Sequence, residues 1–306
     1  MIDSETRVLG VIGDPVARSL SPAIQNAALE HYRLNAHYFA FQVTRESLGR
    51  AVDAVRALGM LGLNVTIPHK EAILPFLDRL GDEAARTGAV NTVVLRGEAL
   101  EGENTDVLGF REALRRVRAR GMKTALLLGK GGAARAALFV LKEEGFEEIL
   151  VASRKLALGK KMVESLGGET VGRAIPWDRR EEAEADLLVN ATPLGMEPGD
   201  PLPLSARVVR KAKGVLDLVV RPRGTRLVAL ARSYGVPAEE GSGMLIAQGR
   251  ESFRLWFGKT PPFSVMERGL LATAGTRGQR ERGRSSSMRG RARGELSAPP
   301  DGESER

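Results

Sequence analysis

The chain has no cysteine among its 306 residues, which excludes disulfides, thiolate nucleophiles and Cys-ligated zinc. Histidine is nearly as scarce: His31, His37 and His69 are the only three, and their scatter matches no metal-ligand spacing. No apolar stretch approaches the roughly 18 residues that a membrane span requires. The N-terminus lacks the basic, apolar and small-residue succession of a secretory signal, because Asp3 and Glu5 precede the first apolar run. Internal repeats are absent. What is left is an ordinary globular composition, long enough for two domains, with cytoplasmic residence and no membrane partner as the expectation.

The formal net charge of +8 invites a nucleic-acid reading. Between Thr276 and Arg306, however, eight Arg face five acids, a net +3 that leaves +5 for everything before it. This stretch holds almost no apolar residues and cannot offset its ordering entropy, so 276–306 is expected to be a disordered basic tail. RGG-like segments can bind RNA. A solvated tail is the preferred reading on composition, and nucleic acid is not an expected partner.

Strand and helix signals alternate along the rest of the chain, which indicates α/β architecture with mostly parallel sheets. Arg7–Gly13 reads as a strand ending in a Gly-Asp-Pro turn. Ser21-Pro22 reads as a helix start, with Ser as N-cap and Pro at the first position. A strand over Tyr38–Val43, an amphipathic helix over Leu48–Leu58, a buried strand from Met60 and a helix over Glu71–Leu80 follow. Ala89–Leu95 and the segment before Asn104 form a hairpin. A helix over Val107–Arg120 leads to a second βαβ pattern: strand Thr124–Leu128, helix Ala133–Glu144, strand Ile149–Ala152 and helix Leu156–Leu166. Strands over Asp186–Asn190 and Val215–Val220 and an amphipathic helix over Gly241–Phe257 complete it.

Two polar clusters carry chemistry. In Asn64-Val65-Thr66-Ile67-Pro68-His69-Lys70 the chain leaves a buried strand, which Pro68 must end because it cannot donate to a sheet ladder. Lys70 then falls at a strand's C-terminal edge, where open α/β sheets bind ligands, beside Asn64 and Thr66. The second cluster, Gly102-Glu103-Asn104-Thr105-Asp106, opens a helix. Lys70 and Asp106 brought together would relay a proton at a substrate hydroxyl, against the bland alternative of a surface lysine at a helix start.

Gly129-Lys130-Gly131-Gly132-Ala133-Ala134 joins strand to helix inside a βαβ unit. Gly129, Gly131, Gly132 and Ala133 would let the backbone approach a pyrophosphate at the helix N-terminus. An ordinary strand–helix turn stays open as the alternative. A P-loop does not, because Lys130 lies inside the glycines. After the next strand, where an NAD site carries an acid, stand Ser153, Arg154 and Lys155. Basic groups suit a 2′-phosphate, so the expected cofactor is NADP.

At this point the chain resembles the shikimate dehydrogenase family. The likeness runs over about residues 7–258 and rests on specific motifs: Gly13-Asp14-Pro15-Val16-Ala17-Arg18-Ser19-Leu20-Ser21-Pro22, the Lys70 segment, Ala89-Val90-Asn91-Thr92, Asn104-Thr105-Asp106, Asn190-Ala191-Thr192-Pro193-Leu194-Gly195-Met196 and Gly243-Met244-Leu245-Ile246-Ala247-Gln248. The resemblance implies NADPH-dependent reduction of 3-dehydroshikimate to shikimate in aromatic amino-acid biosynthesis. It implies an N-terminal α/β substrate domain (1–105), a Rossmann-like NADP domain (106–236) and a C-terminal helical segment (237–275) returning to the first. It places Ser19 and Ser21 at the substrate carboxylate and Asn64, Thr66, Asn91, Asp106 and Gln248 at the ring hydroxyls. Lys70 stands at the reacting oxygen, Thr192 and Met196 near the nicotinamide, and Gly241 at the cofactor. The partner is a small-molecule substrate and the assembly a monomer or homodimer.

Three positions depart from the family pattern: Val220 where a Tyr is usual, Lys130 for a small residue, and Arg18 where His is common. Val220 keeps open a quinate/shikimate dehydrogenase-type paralogue of broader polyol specificity. A catalytically idle NADP-binding regulatory protein is the alternative of a different class, against which the intact Lys70 and Asp106 speak.

Overall fold

The computed structural model describes residues 2–221 and 224–273. The expected tail over 276–306 lies outside them. Two six-stranded sheets stand in succession. The first is assembled from β1 (Arg7–Gly13), β2 (Ala36–Gln42), β3 (Gly62–Val65), β4 (Arg79–Leu80), β5 (Thr92–Arg96) and β6 (Ala99–Glu103), in the order β2-β1-β3-β5-β6-β4. It is mixed, because the hairpin β5–β6 and the β3–β5 pairing are antiparallel. The second uses β7 (Thr124–Leu128), β8 (Glu148–Ser153), β9 (Arg173–Pro176), β10 (Leu187–Asn190), β11 (Gly214–Asp217) and β12 (Ala238–Glu240), in the order β12-β11-β10-β7-β8-β9. All its pairings are parallel.

Sequence patterning explains the second sheet. β7 is central, and its continuous apolar run suits a strand covered on both faces. Ala125 and Leu127 enter one core while Leu126 and Leu128 enter the opposite one, as the two-residue period of a strand requires. The helices α1 (Ser21–His31), α2 (Leu48–Ala57), α3 (Asp82–Thr87), α4 (Thr105–Val117), α5 (Gly132–Glu143), α6 (Leu156–Ser165), α7 (Ala206–Val209), α8 (Arg226–Ser233) and α9 (Gly241–Phe257) cover the sheets, and a further helical stretch spans 263–273.

The C-terminal helix α9 returns to the first sheet. Ile246, Phe253 and Trp256 pack with Leu9, Val11, Ile24 and Ala28, whereas Met244 joins the core of the second sheet. Burying each large apolar side chain is worth about 1.5–3 kcal/mol, so α9 fastens the two halves together. Gly62 makes room for it: at φ +157 it has no side chain to obstruct the Trp256 indole, which donates to the Val93 carbonyl at 3.0 Å.

Two local expectations are corrected. Residues 71–80 are not a helix but turns, a 3-10 turn over Leu74–Phe76 and the short strand β4. Pro75 supplies no N–H there, and the Asp78 carboxylate accepts the Leu100 N–H at 2.7 Å, drawing the chain out beside β6. Ser21 is not the N-cap of α1. Leu20 holds that place, Ser21 is the first helical residue, and its N–H donates to Ser19 Oγ at 3.2 Å.

Candidate active site

Each sheet has a point where its strand order reverses, and both points face the site. In the first sheet the turn after β1 meets the turn after β3, so close together that a Cβ on Gly13 would lie 2.4 Å from Thr66 Cγ2. In the second, the glycine turn after β7 meets the segment after β10, and a Cβ on Gly129 would lie 2.8 Å from the Ala191 carbonyl oxygen.

Lys70 follows β3, and its loop is pinned from behind by His69, which is fully buried with Nε2 at 2.6 Å from the Val43 carbonyl. Asp106 sits in the first turn of α4, whose start is fixed by Asn104: its side-chain oxygen accepts the Asp106 N–H at 3.2 Å. The Lys70 ammonium is in direct contact with Asp106 Oδ2, and the two side chains are only 14% and 7% exposed. Asn91 donates to the other oxygen, Oδ1, at 2.9 Å and to Gln248 Oε1 at 3.3 Å. Four expected residues from four chain segments are therefore one hydrogen-bonded group.

Asn64 adjoins them. Its Nδ2 lies 3.1 Å from the Asn91 carbonyl and 3.0 Å from Thr92 Oγ1 and Ser252 Oγ. Thr105 and Ser252 complete the network, and Ser252 stands one helical turn beyond Gln248, on the same face of α9. Thr66, Ser19 and Ser21 are half-buried at the mouth. Across that mouth Arg18 pairs with Glu197, both exposed.

On the second sheet, Gly129 adopts φ +118, a conformation open to glycine. Gly131 precedes α5, and a Cβ there would meet nothing within 4 Å. Gly132 opens the helix against the Lys70 stem: a Cβ would fall 2.6 Å from Lys70 Cδ. Ala133 follows in the first turn of α5. The glycines thus leave an uncovered helix N-terminus next to Lys70, a fit for a dinucleotide's phosphates. Arg154 and Lys155 project from the end of β8, exposed and in no ion pair among the described residues. Ser153 is buried and its hydroxyl is spent on the Lys155 carbonyl at 3.1 Å.

Thr192 is held beside the glycine turn by Asn190, whose Oδ1 accepts from Thr192 N and Oγ1 at 3.1 and 2.6 Å. Met196 is farther out and 46% exposed. Gly241 is buried, its N–H donating to the Val219 carbonyl at 3.2 Å. A Cβ there would stand 2.3 Å from the Leu218 carbonyl oxygen, so backbone packing alone requires this glycine.

Sequence reading missed Arg135. From α5 it reaches the first half of the chain, donating through Nε to the Thr87 carbonyl at 2.6 Å, with Glu71 3.7 Å away. Burial lowers its pKa from the ordinary arginine value, opposed by Glu71. The signal available was Gly88: its φ of +61 and its missing side chain make room for the guanidinium.

Known proteins are similar to this chain in sequence and fold. Residues 11–93 match the model of a shikimate dehydrogenase substrate binding domain, and 241–271 that of a shikimate 5′-dehydrogenase C-terminal domain. A shikimate dehydrogenase (NADP(+)) of Methanopyrus kandleri is 45% identical over 282 residues, covering 88% of this chain and 97% of its own. A crystal structure of a shikimate dehydrogenase in complex with NADP+ superposes with a TM-score of 0.81 at 34% identity, over 90% of this chain and 98% of that one. The shikimate 5-dehydrogenase of Thermus thermophilus, solved with NADP(H) and shikimate, gives 0.75 at 39% identity, over 86% and 98%.

Proposed function

The chain belongs to the shikimate dehydrogenase family, and we propose that it reduces 3-dehydroshikimate to shikimate, with NADPH as the hydride donor. The reading is carried by one observation: Lys70, Asp106, Asn91 and Gln248 form a single hydrogen-bonded group against the glycine turn. It acts as a monomer or homodimer on a small-molecule substrate in the cytoplasm, within the shikimate pathway to the aromatic amino acids.

We assign residues 1–105 to substrate binding and 106–240 to NADP, the expected boundary at 236 moving past β12 because that strand pairs with β11, and 241–273 to the helical segment that returns to the first sheet. NADPH, when bound, supplies the hydride. Gly129, Gly131, Gly132 and Ala133 would admit its pyrophosphate, Arg154 and Lys155 its 2′-phosphate, and Thr192 would line the nicotinamide side, with Ser153, Met196 and Gly241 framing the pocket. Hydride delivery to the ketone carbon leaves negative charge on the substrate oxygen. The Lys70 ammonium stabilises that charge and donates a proton, while Asp106 holds the ammonium in place. In the reverse direction Lys70 takes the proton back.

Asn91, Gln248, Thr66 and Asn64 suit a polyol, because an unpaired polar group in a closed site costs about 1–3 kcal/mol. Ser19 and Ser21 take the carboxylate, near the Arg18 charge. A second reading, a quinate/shikimate dehydrogenase-type paralogue of broader polyol specificity, rests on Val220, which offers no hydroxyl where the resemblance expects a tyrosine.

Initial rates of reduced nicotinamide appearance (NADPH or NADH), with shikimate and quinate each paired with NADP+ and NAD+, test both readings. Fast turnover of shikimate with NADP+ alone is expected. Comparable quinate turnover would establish the broader pocket, and no turnover in any pairing would overturn the assignment in favour of an idle paralogue.

A further inference from the structure

Among the buried polar groups that the roles above leave unused is the Tyr38 hydroxyl. Tyr38 on β2 is 1% exposed, its ring set beside Trp256 at 6.1 Å between centroids. A phenylalanine would serve that packing equally well, and a hydroxyl carried into such surroundings is costly unless it is paired. It is paired at the site. The Tyr38 hydroxyl donates to Asn64 Oδ1 at 2.7 Å, and Ser21 stands beside the same phenolic oxygen.

Burial pushes the Tyr38 phenol well above its ordinary value, so it keeps its proton and remains a donor. That donor fixes which end of the Asn64 amide is which. Oδ1 must face Tyr38, which leaves Nδ2 for the Asn91 carbonyl and Thr92 Oγ1 at 3.1 and 3.0 Å. Thr92 Oγ1 in turn donates to Asn91 Oδ1 at 3.1 Å, Asn91 Nδ2 donates to Asp106 Oδ1 at 2.9 Å, and Asp106 holds Lys70. One uninterrupted series of hydrogen bonds joins Tyr38 to Lys70, with Ser21 beside the phenolic oxygen at its far end; Ser21 and Lys70 are the groups assigned to opposite ends of the substrate.

We propose that Tyr38 is a positioning residue for the reaction: its hydroxyl sets Ser21 and Asn64 so that the carboxylate end of a hydroxylated cyclic acid is registered to the Lys70–Asp106 end. The proposal rests on the shikimate dehydrogenase reading. It assigns no proton transfer to Tyr38, whose place is behind the residues that touch substrate.

The test is Tyr38→Phe in the full chain, compared with wild type, Ser21→Ala and the double variant. Loss of the hydroxyl is expected to raise KM for shikimate about tenfold, the scale of one hydrogen bond in a closed site, with KM for NADP+ unchanged. In the double variant the two effects combine to less than their product, as coupled neighbours do. An unaltered KM for shikimate, or both KM values rising in parallel, would overturn the proposal.

If Tyr38→Phe does not fold, 3-fluorotyrosine keeps the ring and reports directly. The chain has three tyrosines, Tyr32, Tyr38 and Tyr234, and the first and last are assigned by their own Phe variants. The Tyr38 fluorine resonance should move on saturation with shikimate and stay put with NADP+; no movement with shikimate sinks the idea. Wild type that binds shikimate but turns none over would instead defeat the functional reading, leaving the positioning role to be judged on binding alone.

Discussion

The two halves of the site are built from different materials. On the first sheet, Lys70, Asp106, Asn91, Asn64 and Gln248 are buried or half-buried side chains bonded to one another. On the second, the site is mostly backbone: a glycine at φ +118, an open helix N-terminus and two exposed cations. The difference matches what the proposed roles ask of each half. Uncharged hydroxyls distinguish themselves only by donor and acceptor geometry, so their partners must be fixed in advance and shielded from water. Phosphates carry their own charge, and main-chain N–H groups with mobile basic side chains suffice.

The sharpest way to break that contrast is Lys70→Ala. Turnover is expected to fall by about 10²–10⁴-fold, the usual share of a general acid–base group, with NADPH affinity nearly unchanged by fluorescence titration. If affinity fell while turnover held, Lys70 would belong to the cofactor half. On the other side, the Arg154→Ala, Lys155→Ala double variant should weaken NADP+ binding about 10–100-fold, the scale of a lost charge-assisted contact, and leave NAD+ binding as it was. Equal loss for both dinucleotides would place these cations on the pyrophosphate.

Gly129→Ala probes the backbone character of the second half. The new Cβ would lie 2.8 Å from the Ala191 carbonyl oxygen at a φ of +118, and about 1–3 kcal/mol of stability should be lost by denaturant titration. A stability equal to wild type would mean that this turn has freedom the geometry denies it.

The smallest effect is a pH dependence confined to the second sheet. Asp186 accepts the backbone N–H groups of Lys123 and Thr124 at 2.8 and 3.1 Å, tying the starts of β7 and β10, and pairs with Lys213. The Lys123 N–H leads the causes that hold its carboxyl down from 3.8 to about 2. A depressed folded value means that the contribution is complete above 3.8 and fades as pH falls through about 2. Asp186→Asn should therefore flatten the melting temperature over that interval, by a modest amount because the group is near solvent. An unchanged slope would remove Asp186 from the acid response.

The two halves also differed in how legible they were from sequence. The βαβ pattern over β7, α5, β8 and α6 was readable because each element carries its own period and boundary signals. The strands β4, β9 and β12 are two to four residues long and exist only through their neighbours. The helix expected over 71–80 failed for the same reason in reverse: local periodicity pointed one way, while Asp78 and the partner strand β6 decided otherwise. Within the site, Lys70, Asp106, Asn91 and Gln248 stood out as polar residues in compact motifs. Tyr38 and Ser252 did not, since they meet Asn64 across 26 and 188 positions of sequence, and no local pattern marks a contact of that reach.

Gly132 stands where the halves meet. A Cβ there would fall 2.6 Å from the stem of Lys70, so the residue that reads as part of a nucleotide signature is demanded just as strongly by a lysine from the other sheet. The motif is overdetermined: its glycine would have to be there even if no phosphate ever approached. Counted as evidence for a cofactor, such a glycine is worth less than its place in the pattern suggests. Counted as a constraint on sequence change, it is worth more, because a side chain at this position would have to satisfy two chemistries at once.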